Sequence, residues 1–195
     1  MHRTKRAMAT LLAVLLGALC LGCTAREEAG TAPAATPKAV QQDPIAGNVA
    51  PSMALWTADG QSVTLESFYG KPVILNFWAS WCGVCRAEMP FFQAAYDAYK
   101  DDEITFLMVD VLDEVQETRE EAEALLKEKE ITMPVYYTQN ARQASQAYWL
   151  TGLPVTMILG ADGTILERHV GLMTPAQLEE TIPRLLDGTF EVVME

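Results

Sequence analysis

Asn76-Phe-Trp-Ala-Ser-Trp-Cys-Gly-Val-Cys-Arg-Ala-Glu-Met-Pro90 is the stretch on which the reading of this chain turns. Its first residues continue an apolar run that begins at Val73, the pattern of a strand buried on both faces. From Cys82 to about Tyr99 the chain reads as a helix, with Pro90 set to kink it. Cys82 and Cys85 therefore fall at a strand-to-helix junction. Unpaired N–H groups and the macrodipole at a helix N-terminus stabilise a thiolate, which lowers the pKa of the first cysteine. A two-residue spacing in the first turn brings the two sulfurs within bonding reach. Cys82, at the edge, is expected to be exposed and nucleophilic. Cys85, one turn in, is expected to be more buried and able to attack a mixed disulfide from inside.

Working outward, Met53–Trp56 and Ser62–Thr64 flank Asp59-Gly60, a short-hairpin signal. Leu65–Phe68 reads as one helical turn closed by Gly70. Beyond the cysteines, Ile104–Val109 is a second buried strand, Val115–Lys129 an exposed helix, Met133–Tyr137 a strand and Ala141–Leu150 a helix. Val155–Leu159 and Ile165–Arg168 form an antiparallel hairpin about Asp162-Gly163, and Thr174-Pro175 caps a last helix to about Leu186. Strands alternating with helices, then a hairpin and a helix, imply an α/β sheet with helices on both faces. Residues 110–130 hold nine acidic and three basic side chains, read as a solvated helix face with i,i+4 pairs such as Glu123 with Lys127.

The chain has 195 residues, half of them hydrophobic, enough for one domain and a tail. With 26 acidic against 14 basic residues its net charge is −12, which excludes a nucleic-acid footprint. His2, Arg3, Lys5 and Arg6 precede an uncharged stretch from Ala7 to Leu21, the anatomy of a secretory signal too short to span a bilayer comfortably. Leu19-Cys20-Leu21-Gly22-Cys23 resembles a bacterial lipoprotein signal, with Cys20 where that pattern usually has Leu. The resemblance implies a diacylglycerol thioether on Cys23, cleavage before it and acylation of the new N-terminus, which together anchor a protein durably. Thr24 to about Asn48, rich in Ala, Thr, Pro, Glu and Gln, reads as a flexible linker. The expected organisation is a signal over 1–22, a lipidated cysteine and linker over 23–48, and one domain over 49–195. Without residues 1–22 the chain keeps 11 basic and 26 acidic residues, a net charge of −15.

The residues alone leave the cysteine pair with three readings. It can be a redox centre. It can be a structural disulfide of an exported protein, although so short a loop removes little chain entropy. It can be half of a metal site, although zinc wants two further ligands, and with Cys20 in the signal and Cys23 lipidated only His169 remains. A Cu(I)-holding metallochaperone-like protein is a related alternative, but Met53, Met108, Met133, Met157 and Met173 are scattered and read as core filler. Peroxide reduction lacks its Thr-x-x-Cys arrangement.

With residues 76–90, Gly152-Leu-Pro-Val-Thr156, Asp162-Gly163 and Gly171, the chain resembles the thioredoxin-like superfamily, and within it the membrane-tethered TlpA/ResA type, over residues 48–190. The resemblance implies a thioredoxin-like fold: a central mixed β-sheet flanked by helices, with an N-terminal β-hairpin and a central strand–helix insertion over about 104–137. It implies an extracytoplasmic thiol-disulfide oxidoreductase, acting as a reductant as in cytochrome c maturation; the alternative is a disulfide-introducing oxidant of the same fold. Cys82 would attack, Cys85 resolve, and Pro154 be the cis-proline facing the dithiol, turning the Leu153 backbone toward a substrate strand. Trp81, Gly83 and Val84 would complete the docking surface. Val84 stands where many relatives have proline, leaving the redox direction to measurement. Glu88 would lie near the dithiol and govern its protons, with Asn76 where cytoplasmic thioredoxins have a buried aspartate. No metal and no cofactor beyond the cysteine pair is expected. The partners implied are protein disulfides, such as apocytochrome c or a copper-site assembly protein, a membrane thiol donor of the CcdA/DsbD type, and a bilayer through Cys23.

Overall fold

The structure, a computed structural model, describes residues 45–113, 115–190 and 192. The signal, Cys23 and the linker up to residue 44 lie outside the described residues. Seven strands form one mixed sheet: β1 (Ala54–Trp56), β2 (Ser62–Thr64), β3 (Val73–Trp78), β4 (Thr105–Asp110), β5 (Val135–Thr138), β6 (Val155–Leu159) and β7 (Ile165–Val170). Their spatial order is β2-β1-β5-β4-β3-β6-β7. The middle strands β3, β4 and β5 run parallel, while β6, β7 and the β1–β2 hairpin add antiparallel edges. The thioredoxin-like architecture expected from the resemblance is present, including the hairpin and the strand–helix insertion.

Strand alternation divides the core in two. Ile74 and Trp78 of β3, Phe106 and Met108 of β4 and Ile158 of β6 pack on one face against α1 (Gly83–Tyr99), α2 (Arg119–Glu128) and α4 (Pro175–Leu186). Val73, Leu75 and Phe77, with Leu107, Val109 and Met157, pack on the other against α3 (Ala141–Ala147), Tyr148 and the turn at Leu65. The period of two is what buries β3 completely on both sides. The five methionines read as core filler are all buried. Among the described residues no helix is long and apolar enough to cross a membrane.

Several boundaries differ from the sequence reading: α3 stops at Ala147 instead of Leu150, and two larger differences bear on the domain. The helix expected from Val115 starts at Arg119, because Thr118 caps it with a reciprocal capping box to Glu121. The pair that forms on it is Arg119 with Glu123 at 2.9 Å. Arg119 also stacks on Tyr137 and donates to the carbonyls of Thr57 and Ala58, tying α2 to the β1–β2 turn. Residues 45–48, assigned to the linker, lie on the domain: Ile45 is buried, the Gly47 N–H donates to Ile165, and the Ile165 N–H donates to Asn48.

Candidate active site

Everything chemical gathers where β3 ends and β6 begins. The register pairs Phe77 with Val155, so the segment after β3, which carries the cysteines, and the Leu153–Pro154 segment before β6 leave the sheet at the same edge. Leu153–Pro154 is a cis peptide, and Leu153 packs against the apolar cluster that contains both cysteines. Cys82 is the N-cap of α1 and is bonded to Cys85, with an S–S distance of 2.04 Å. The Cys85 N–H donates to Cys82 Sγ at 3.1 Å, so an orphan helix donor already points at the sulfur that would carry thiolate charge. Cys85 is wholly buried. Cys82 is only 6% exposed, less than expected, because the disulfide draws its sulfur into the cluster beneath β3. Gly83, Val84 and Trp81 are the exposed residues beside the pair, Trp81 at 56%.

Below the disulfide lies a buried polar cluster. Glu88, three residues beyond Cys85 and so on the same helix face, accepts from Asn76 Nδ2 and from the Met173 backbone N–H, both at 2.9 Å. Asn76 Nδ2 also donates to Thr156 Oγ1 at 3.0 Å, as the Asn76–Thr156 register allows. Burial pushes the Glu88 carboxyl up to about 7, the two hydrogen bonds offsetting part of that rise. Asn76 thus stands beside Glu88 as a neutral partner. Thr156, bonded to Asn76, and the Met173 backbone, bonded to Glu88, complete the cluster, and nothing in the spacing of the chain announced them.

An open groove of about 890 Å³ starts at Trp81 and Leu153 and passes Asp113, Val115 and Gln116 toward Trp56. Glu117, read from sequence as part of a solvated acidic face, is wholly buried beside it. Its carboxylate accepts from the Ser80 backbone N–H and from the Ser80 hydroxyl, two residues before Cys82. The Thr118–Glu121 capping box was the legible signal that Glu117 precedes the helix instead of lying on it. His169 takes a structural position, its Nε2 at 3.1 Å from the Leu172 carbonyl. Among the described residues no cluster of His, Cys, Asp and Glu is set to hold a metal ion.

This arrangement can do disulfide exchange: a sulfur at a helix N-terminus, a buried partner sulfur and a carboxyl that titrates near neutrality. The residue three before Cys82 is Ala79, so the Thr-x-x-Cys arrangement is missing. The comparisons agree. Residues 46–168 match the model of the AhpC/TSA family. The chain is 31% identical over 136 residues to the thioredoxin-like protein YneN of Bacillus subtilis, covering 70% of this chain and 78% of the relative. It is 28% identical over 139 residues to the thiol-disulfide oxidoreductase ResA of Bacillus thuringiensis, covering 71% and 78%. Among solved structures, the thioredoxin domain of a thiol-disulfide oxidoreductase from Bacteroides vulgatus superposes with a TM-score of 0.64 at 25% identity, over 72% of this chain and 97% of that one. The chain belongs to the AhpC/TSA family and is a thioredoxin-fold thiol-disulfide oxidoreductase of the ResA/TlpA type.

Proposed function

We propose that the protein is an extracytoplasmic reductant, anchored by lipid on Cys23, that delivers electrons to disulfides of protein substrates. The Cys82 thiolate attacks a substrate disulfide. One substrate sulfur leaves as a thiolate and takes up a proton, and a mixed disulfide joins Cys82 to the other. Cys85, losing its proton, attacks Cys82 Sγ; the second substrate sulfur leaves and is protonated. The substrate has gained two electrons and two protons, and the enzyme holds the Cys82–Cys85 disulfide. Because the two electrons are carried by the reduced Cys82/Cys85 dithiol itself, no further cofactor is required.

The observation that carries the direction is the burial of Glu88 one turn past Cys85, which pushes its carboxyl up to about 7. A carboxylate there disfavours a neighbouring thiolate, which raises the thiol pKa and favours the disulfide. An enzyme whose reduced form is not specially stabilised gives its electrons away, the opposite of DsbA. Glu88 also accepts and returns the Cys85 proton near neutral pH. Trp81, Gly83 and Val84 form the docking face, the groove between Trp81 and Leu153 receives the substrate, and cis-Pro154 turns Leu153 toward it.

The N-terminal sequence and the family likeness support the compartment and partners of this reading. Substrates include apocytochrome c during its maturation, and re-reduction comes from a membrane dithiol carrier of the CcdA/DsbD type. The test is the reduction potential of the Cys82/Cys85 pair at pH 7. A value below about −230 mV is expected, and a value above about −160 mV would make the enzyme an oxidant. Mass spectrometry of the mature N-terminus tests the lipid on Cys23.

A further inference from the structure

We infer that Glu117 is a positioning residue for the exchange reaction: its carboxylate fixes the Ser80–Trp81 turn against the residues before α2, and so holds Trp81 in place in the lining of the groove that receives a protein substrate. The inference rests on reading that groove as the docking site.

Ala79 to Cys82 is a tight turn, closed by the Cys82 N–H donating to the Ala79 carbonyl at 3.1 Å. Ser80 and Trp81 are its central residues. That closure leaves the Ser80 N–H unused, and Glu117 takes it, both carboxylate oxygens lying 2.9 Å from the nitrogen. The Ser80 hydroxyl adds a third contact at 2.7 Å to Oε2. All three contacts go to one residue, two before the nucleophile. A planar fork with two acceptors fixes the direction of the Ser80 backbone as well as its position. Simple closure of a loop needs no charge, and burying a carboxylate is costly without such compensation.

Glu117 is itself held. Asp113 Oδ1 accepts from the N–H groups of Val115, Gln116 and Glu117 at 2.9, 2.7 and 3.1 Å, which ties these three residues to one carboxylate. Asp113, Val115 and Gln116 line the groove, and so does Trp81. Trp81 is more than half exposed, so packing does little to orient it. Its place comes from the Ser80 backbone, and through that from Glu117.

The test compares second-order rate constants of the reduced enzyme with a disulfide-bonded Cys-x-x-Cys-His peptide and with hydroxyethyl disulfide, each normalised to dithiothreitol with the same disulfide. Wild type should prefer the peptide; absence of any preference would overturn the docking reading itself. Given that preference, Glu117→Ala should slow the peptide about tenfold and leave hydroxyethyl disulfide within about twofold. Glu117→Gln keeps one acceptor for the Ser80 N–H and should slow the peptide about threefold. Equal losses on both disulfides, or none on either, overturn the inference. Far-UV circular dichroism checks folding, and if Glu117→Ala does not fold, the same two-substrate comparison on Glu117→Gln decides.

Discussion

Replacing Glu88 by glutamine should make stability far less dependent on pH between 5 and 8. In the folded protein the carboxyl is pushed from its ordinary value of 4.5 up to about 7 by burial. A folded-state pKa above the unfolded one means the native state holds its proton while the unfolded chain has released it. Wild type is therefore relatively favoured at low pH and loses stability as pH climbs from 4.5 toward 7, with the loss complete by about pH 8. At about 1.4 kcal/mol per pH unit the full effect is about 3 kcal/mol, of which about 2.5 kcal/mol falls between pH 5 and 8. The amide can be accommodated. Its oxygen still accepts from the Met173 N–H, and Asn76 can turn its own amide about so that Oδ1, which finds no hydrogen-bond partner among the described residues, takes the new N–H. The Thr156 hydroxyl then donates where it now accepts. At pH 5 the variant should therefore match wild type within about 1 kcal/mol, and at pH 8 it should be more stable by about 2–3 kcal/mol. Urea unfolding of both oxidised proteins at each half pH unit measures this. A stability difference that stays constant across the range would refute the argument that desolvation dominates at Glu88.

Four further outcomes are expected. Cys85→Ser should accumulate a mixed disulfide with substrate on Cys82, seen on non-reducing gels, while Cys82→Ser should trap none. Gly163→Ala should cost about 1–3 kcal/mol in chemical denaturation. Gly163 has φ +84°, and a Cβ there would lie 2.3 Å from the Tyr69 ring. Gly83→Ala, whose Cβ meets nothing within 4 Å, should change stability by less than about 1 kcal/mol. Thr174→Ala removes the capping box that starts α4 over the first core and should cost about 1 kcal/mol.

The strands were legible because their signals are local. Val73–Trp78 is apolar without a break because both its faces are covered, and Asp59-Gly60 and Asp162-Gly163 mark their turns through backbone conformations that glycine adopts freely. The cysteine pair stood out by its spacing, but the residues alone left it three readings; its redox role and the place of Pro154 came with the family resemblance. Glu88 was visible only as a candidate, and its perturbed carboxyl arises from burial and from Asn76 and Met173, residues 12 and 85 positions away. Glu117 was misread. It stands in a run of acidic residues whose pattern speaks of solvent, and only the loop held by Asp113 turns it inward to Ser80, 37 positions earlier.

From the sequence came the order of the elements, the α/β class and a cysteine pair at a strand-to-helix junction, since period, turn chemistry and spacing act over a few residues; the redox role of the pair and the thioredoxin-like fold came with the family resemblance. The tertiary structure decided which of the 26 acidic residues are buried and what they hold. A carboxylate's pKa and partners depend on what surrounds it in space, and that is set only when distant strands and loops pack together.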